Sequence, residues 1–160
     1  MSTPVEFWVD PACPWCWVTA RWIVDEVAGP RDLDITWRPI SLLFKNEPPE
    51  DSPYYAGVVN THKLLRVMES LRAGGASNAD IQRYYLYWGT RVHSDDERDF
   101  DTAAVAAGLE HLGLDPKHAD AYEDAIGQYT RALAFREHDP RARTGLSRAH
   151  ALIAQHYVFR

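Results

Sequence analysis

Two cysteines, separated by two residues, lie between a segment typical of a strand and a segment typical of an amphipathic helix. They are the only cysteines among the 160 residues, and the stretch reads Cys13-Pro14-Trp15-Cys16. Residues 5–10 before it have strand-like composition, and residues 14–28 after it carry apolar side chains at helical spacing. A dithiol on a turn from strand to helix predicts redox chemistry.

The local chemistry of this turn indicates a different role for each cysteine. Cys13 is expected to be the helix N-cap, with Pro14 at the first helical position, where the missing N–H of proline costs nothing. The sulfur of Cys13 then receives N–H groups of the first turn and the positive end of the helix dipole, which favours a thiolate. Cys16, one turn inside the helix, is expected to stay protonated. We interpret Cys13 as the nucleophile and Cys16 as the resolving thiol.

Other uses of two cysteines fit the sequence less well. A zinc site of four cysteines needs a second pair, and a site with two histidines needs them close to Cys16, whereas His150 and His156 lie at the far end of the chain. A static disulfide here would close a very short loop and stabilise little. No metal is predicted, and inert thiols stay an open alternative.

Composition narrows the function classes further. A chain with 46% hydrophobic and 25% charged residues predicts one globular domain, with room for an inserted subdomain. The net charge of −6 argues against nucleic acid as the main partner. Neither a membrane-spanning run nor a secretory signal is recognisable, so a cytoplasmic location without membrane association is expected. The chain also lacks a glycine-rich nucleotide motif, and no bound cofactor is predicted.

The order of predicted elements places the cysteines at the end of a strand. Residues 33–37 alternate apolar and polar side chains and predict a second strand that ends at Pro39. The resulting β-α-β unit has parallel strands, so Cys13 lies at the carboxyl end of the first, where open α/β sheets bind ligands. A Pro-rich loop follows at residues 46–53.

Beyond that loop the pattern is helical. Helices are predicted over residues 54–71, over 78–92 with Asn78 as cap, over 102–112 with Asp101 as cap, and from Asp115-Pro116 to residue 126. The aromatic residues of the second of these helices are expected in the core, as are three tryptophans: Trp8, Trp22 and Trp37.

Four stretches together carry a family resemblance. They are FWVDPACPWCWVTARW at residues 7–22, the segment 41–47, the turn 89–93 and the segment 121–125. In these stretches the chain resembles the DsbA-like, thioredoxin-fold oxidoreductases of actinobacteria, and more narrowly their mycothiol-dependent nitroreductase branch. The resemblance implies an α/β fold in which a thioredoxin-like unit is split by a large helical insertion. It also implies cytoplasmic reduction coupled to mycothiol or another small thiol, with a disulfide or an electrophilic small molecule as substrate.

The resemblance also suggests residues that face the thiol or the substrate. By match, Cys13 and Cys16 are the redox pair, and Pro14 and Trp15 line the site. Asn46 and one of Tyr54 and Tyr55 would face the ligand, although Asn46 also suits a simple turn and the tyrosines also suit ordinary packing. The loop residue His93 could bind an acidic group of a ligand or simply be solvated.

The second half of a thioredoxin fold is not recognisable in the sequence. After residue 126 the chain shows helical pattern and no alternating strand, and Pro140 is a poor candidate for the cis-proline of such folds. We therefore expect residues 1–45 to form the β-α-β unit and residues 46–126 a helical subdomain. Residues 127–160 are expected to form an Arg-rich, helical tail that is a truncated or frame-altered replacement of the second half. A thiol-dependent isomerase or transferase, or an inactive fragment, are the alternative functions.

Overall fold

The protein is described here by a computed structural model, which covers residues 2–97 and 100–122. Several expectations lie outside the described residues: the Arg-rich tail at 127–160, the absence of a C-terminal ββα half, Pro140, and the end of the last predicted helix at residue 126. The described part is mixed α/β and mostly helical.

The two strands of the described part form one parallel sheet. Strand β1 (Thr3–Val9) pairs with strand β2 (Leu33–Pro39), with Thr3 opposite Leu33 and Val9 opposite Pro39. The predicted β-α-β unit is confirmed, and it places the cysteines directly after the carboxyl end of β1.

Helix α1 (Pro14–Trp22) connects the two strands and continues as a wider, π-helical turn (Ile23–Val27). The N–H of Ala28 donates to the carbonyl of Ile23 at 2.8 Å, five residues back. The uninterrupted α-helix predicted for residues 14–28 is therefore wrong in its last turn. Core placement of Trp22 is also wrong, since this side chain is 57% exposed, whereas Trp37 is buried as predicted.

Four more helices follow β2. They are α2 (Leu42–Asn46), α3 (Tyr55–Ala73), α4 (Asn78–His93) and α5 (Thr102–His111), and a short 3₁₀ turn (Pro116–Ala119) comes after them. Helix α2 ends at Asn46, the residue at which the sequence predicted the start of a loop. The predicted cap of α5 is confirmed, because the Asp101 carboxylate accepts the N–H of Ala104 at 2.7 Å.

The cap of α4 differs from the prediction. Ser77, not Asn78, is the N-cap, and its hydroxyl accepts the N–H of Asp80 while the Asp80 carboxylate accepts the N–H of Ser77. Asn78 instead reaches the sheet: its side-chain oxygen accepts the N–H of Trp37 at 3.2 Å and its amide donates to the carbonyl of Ile35. Helix α4 is thereby fixed against β2.

The core lies between the helices and one face of the sheet. Its largest fully buried side chains are Trp37, Trp88, Tyr84, Tyr85 and Tyr122. The predicted core placement of the α4 aromatic residues is confirmed for Tyr84, Tyr85 and Trp88. Among the described residues, no helix has the length and apolar character needed to cross a membrane.

Candidate functional site

The loop from Asp10 to Cys13, called here the cysteine loop, sets the position of both sulfur atoms. The N–H of Cys13 donates to the carbonyl of Asp10 at 3.0 Å, which turns the chain from β1 into α1. Cys13 has extended backbone geometry and Pro14 follows at the start of the helix. The Cys13 sulfur accepts the N–H of Cys16 at 3.3 Å. The predicted N-cap is confirmed.

The electrostatic environment at this turn differs between the two thiols. Both cysteines are free and half-buried. Helix α1 has nine residues and no acidic side chain in its first turn, so its positive end faces the Cys13 sulfur without competition from α1. Burial, and then the hydrogen bond and charge of Cys13, raise the pKa of Cys16 to about 12. The inner thiol therefore keeps its proton at neutral pH.

The buried carboxylate of Asp10 fixes the cysteine loop through hydrogen bonds, and Asp10 is not among the predicted site residues. Asp10 is fully buried, and its two carboxylate oxygens accept the N–H of Ala12 at 2.8 Å and the N–H of Leu42 at 2.7 Å. The first bond fixes the residue before Cys13, and the second fixes the start of α2. One side chain thus links the cysteine loop to the segment that carries Asn46. In the sequence, the only sign of this role is that Asp10 ends an apolar strand and directly precedes a proline.

Burial and hydrogen bonding act on Asp10 in opposite directions. Burial raises the pKa of Asp10 to about 6, and it outweighs the hydrogen bonds from the backbone of Leu42 and Ala12 and from the Thr61 side chain, which lower it. Asp10 therefore ionises close to neutral pH, and its charge contributes to the raised pKa of Cys16.

Helix α4 contacts both the cysteine loop and α1. The ring N–H of His93 at Nε2 faces the carbonyl of Pro11 at 2.8 Å, and the same ring lies 5.3 Å from the Trp17 ring of α1. Gly89, one turn earlier, permits this approach, because a Cβ at this position would overlap the Trp17 ring. The predicted site residue His93 is thus brought to the cysteine loop.

The side chains next to Cys13 on α1 face outward. Pro14 is exposed, and Trp15 is 77% exposed. Val18 and Trp22 are exposed on the same side of the helix, so an apolar face runs along α1 from the cysteines. Such a face next to a thiol can contact an apolar or aromatic ligand.

The remaining predicted site residues lie on α2 and at the start of α3. Asn46 ends α2 and is exposed, Tyr54 precedes α3 and is 74% exposed, and Tyr55 is its half-buried first residue. Within residues 2–97 and 100–122, no hydrogen bond joins these three side chains to the cysteine loop. The structure therefore brings His93 to the cysteine loop and places Trp15 between the two cysteines on α1.

A comparison with protein-family models identifies the family. The model described as mycothiol-dependent nitroreductase Rv2466c matches residues 12–154, a range that includes both cysteines and extends well beyond residue 126, where the motifs of the sequence resemblance ended. The match supports a redox enzyme and a small thiol as its partner. This chain belongs to the Rv2466c-like family of mycothiol-dependent nitroreductases.

Proposed function

We propose that this chain is a thiol–disulfide oxidoreductase that uses Cys13 and Cys16 as its redox pair and mycothiol as its small-molecule thiol. The observation that carries the proposal is the Cys13 sulfur at the start of α1, where it accepts the N–H of Cys16 at 3.3 Å. The family match supports the choice of mycothiol. In this proposal the β-α-β unit is the first half of a DsbA-like thioredoxin fold, and the helices after residue 46 are its insertion.

The raised pKa of Cys16 supports the assignment of roles. A thiolate at Cys13 attacks a disulfide, a bond forms between Cys13 and one sulfur, and the other sulfur leaves as a thiolate. Cys16 then loses its proton and attacks Cys13, so the protein disulfide forms and the second thiol is released. Because Cys16 keeps its proton at neutral pH, it does not compete with Cys13 for the first attack.

The residues around the sulfur atoms are proposed to bind the ligand from two sides. Pro14 and Trp15 present an exposed apolar surface directly beside Cys13. Asn46, Tyr54 and Tyr55 are proposed as the opposite wall, supported by the bond from Leu42 to Asp10 that ties α2 to the cysteine loop. His93 holds that loop through Pro11.

Replacing each cysteine separately tests the proposal. In the full-length protein, Cys13→Ser should abolish mycothiol-dependent turnover of a nitroaromatic or disulfide substrate. Given mycothiol disulfide as substrate, Cys16→Ser should accumulate a mixed disulfide of Cys13 with one mycothiol as the other mycothiol leaves, visible as the added mass of one thiol in intact-protein mass spectrometry. Thr19→Ser, an exposed substitution on the same helix, is the control and should leave turnover unchanged.

Two outcomes would contradict this scheme. Equal turnover in wild type and Cys13→Ser would exclude Cys13 as the nucleophile. Full turnover in Cys16→Ser, without an accumulated adduct, would favour a thiol-dependent transferase or isomerase in which Cys16 has no role.

A further inference from the structure

A buried tyrosine hydroxyl on α4, the helix that contacts α1 and the cysteine loop, takes no part in the proposed redox steps. Tyr85 is fully buried in α4, and its hydroxyl has no hydrogen-bond partner among the described residues. A buried hydroxyl without a partner is costly, since it has lost water and gained nothing in return. Such a group is a candidate for a partner that forms only during the reaction.

The packing of α4 places Tyr85 on the side of this helix that contacts α1, the cysteine loop and β2. Tyr85, Gly89 and His93 are four residues apart and share one face of α4. Gly89 lies against the Trp17 ring of α1, His93 bonds to Pro11 of the cysteine loop, and the Tyr85 ring stacks on Trp37 of β2 at 5.8 Å. Tyr85 therefore lies where α4 crosses both the sheet and α1.

Three ionisable groups act electrostatically on this hydroxyl. After burial, the negative charges of Cys16, Asp10 and Cys13, in that order, raise the pKa of Tyr85. Tyr85 thus stays a protonated donor, and of these three charges that of Cys16 raises its pKa most. Cys16 itself is influenced by Cys13 on its own turn and by Asp10 from the end of β1.

We propose that the Tyr85 hydroxyl donates a hydrogen bond to the Cys16 sulfur whenever that sulfur is negatively charged. In the resolving step, the Cys16 thiol gives its proton to water and its sulfur bonds to Cys13, while the bond from Cys13 to the small thiol breaks. The small thiol leaves as a thiolate, which then takes up a proton. In the reverse direction, a small thiolate attacks Cys13 of the disulfide and Cys16 leaves as a thiolate. Tyr85 stabilises the same charge in both directions, so the inference holds for reduction and for oxidation.

The inference rests on the proposed function for the role of Cys16, but its test does not. In a Cys13→Ser background Cys16 is the only thiol, and the hydrogen bond and charge of Cys13 no longer raise its pKa, whereas burial still does. The rate of Cys16 alkylation by iodoacetamide is then measured against pH in the full-length protein, with Tyr85 intact and with Tyr85→Phe.

The matched control is the neighbouring residue Tyr84. It is also fully buried, but its hydroxyl already donates to the carbonyl of Leu64 at 2.9 Å. Tyr85→Phe should move the midpoint of Cys16 alkylation upward by about one pH unit, which is about three- to fourfold slower alkylation below the midpoint because a more basic thiolate is also more nucleophilic. Tyr84→Phe should leave the midpoint where it is.

The results of these experiments distinguish the proposed role of Tyr85 from the proposed redox function of the cysteines. An unchanged midpoint in Tyr85→Phe, or an equal change in Tyr84→Phe, would overturn the role of Tyr85 while leaving the redox pair intact. Turnover that survives Cys13→Ser would overturn the proposed function, whatever Tyr85 does. With Cys13 present, Tyr85→Phe should also slow release of the small thiol from the Cys13 adduct about three- to fourfold without slowing formation of the adduct, a difference that general loosening of the fold does not produce.

Discussion

Replacing Asp10 by Asn tests whether burial or hydrogen bonding decides the charge of this carboxyl. The pKa of Asp10 rises from 3.8 to about 6 on folding because of burial. The difference corresponds to about 3 kcal/mol, at about 1.4 kcal/mol for each pH unit. A carboxyl whose pKa is raised on folding stabilises the fold while it is protonated, and that contribution is lost as the pH rises from 3.8 through 6.

Asn does not ionise, so the variant lacks this pH dependence. Its amide can accept only one of the two N–H groups that face Asp10, from Ala12 and Leu42, and the lost bond costs about 1–3 kcal/mol at any pH. We expect the stability of wild type relative to Asp10→Asn to fall by about 3 kcal/mol between about pH 4 and about pH 7. Other ionisable groups cancel in this comparison, and Cys16 stays protonated over the whole range.

Urea unfolding of both proteins under reducing conditions, at several pH values, measures this difference. Asp115→Asn is the matched control: hydrogen bonds with Lys117 lower the pKa of Asp115, so the wild type should lose stability relative to this variant as the pH falls. A difference between wild type and Asp10→Asn that is flat with pH, or that grows as the pH rises, would show that the two N–H groups outweigh burial and that our reasoning is wrong.

Two further pairs of substitutions test the packing around the site by urea unfolding at neutral pH. Tyr85→Phe removes a hydroxyl without a partner and should leave stability unchanged or higher, whereas Tyr84→Phe should cost about 1–2 kcal/mol; equal losses would contradict the assignment of partners. Gly89→Ala should destabilise by about 1–3 kcal/mol because its Cβ meets the Trp17 ring. Gly57→Ala, in a helix with open space around it, should stabilise by up to about 1 kcal/mol; a loss at Gly57 as large as at Gly89 would refute the steric explanation.

The cysteine turn and the parallel strands could be predicted because their signals are local. A proline at the first helical position, a preceding cysteine able to cap, and the preference for parallel strands in a β-α-β crossover are all properties of adjacent residues. The exposure of Trp22 could also have been predicted. It lies seven residues after Trp15, on the face of α1 opposite to the buried Trp17 and Ala20, and its hydrophobic character alone suggested the core.

The rest of the site depends on contacts between residues distant in the sequence. Asp10 binds the N–H of Leu42, 32 positions away, and His93 binds the carbonyl of Pro11, 82 positions away. Periodicity describes which face of an element is apolar, but it does not specify which backbone group a buried polar atom reaches. The same limit explains the α4 cap: both Ser77 and Asn78 suit a cap, and the contact of Asn78 with β2 decides between them.

Asp10 and Tyr85 act on the inner sulfur with opposite sign. The charge of Asp10 raises the pKa of Cys16, whereas a hydroxyl donor favours the charged sulfur. Removing the carboxylate should therefore ease ionisation of Cys16, and removing the hydroxyl should hinder it. A loosened fold would expose the thiol in both variants and so change both in the same direction. Opposite changes would mean that the ionisation of Cys16 is set by two specific neighbours, one from the end of β1 and one from α4.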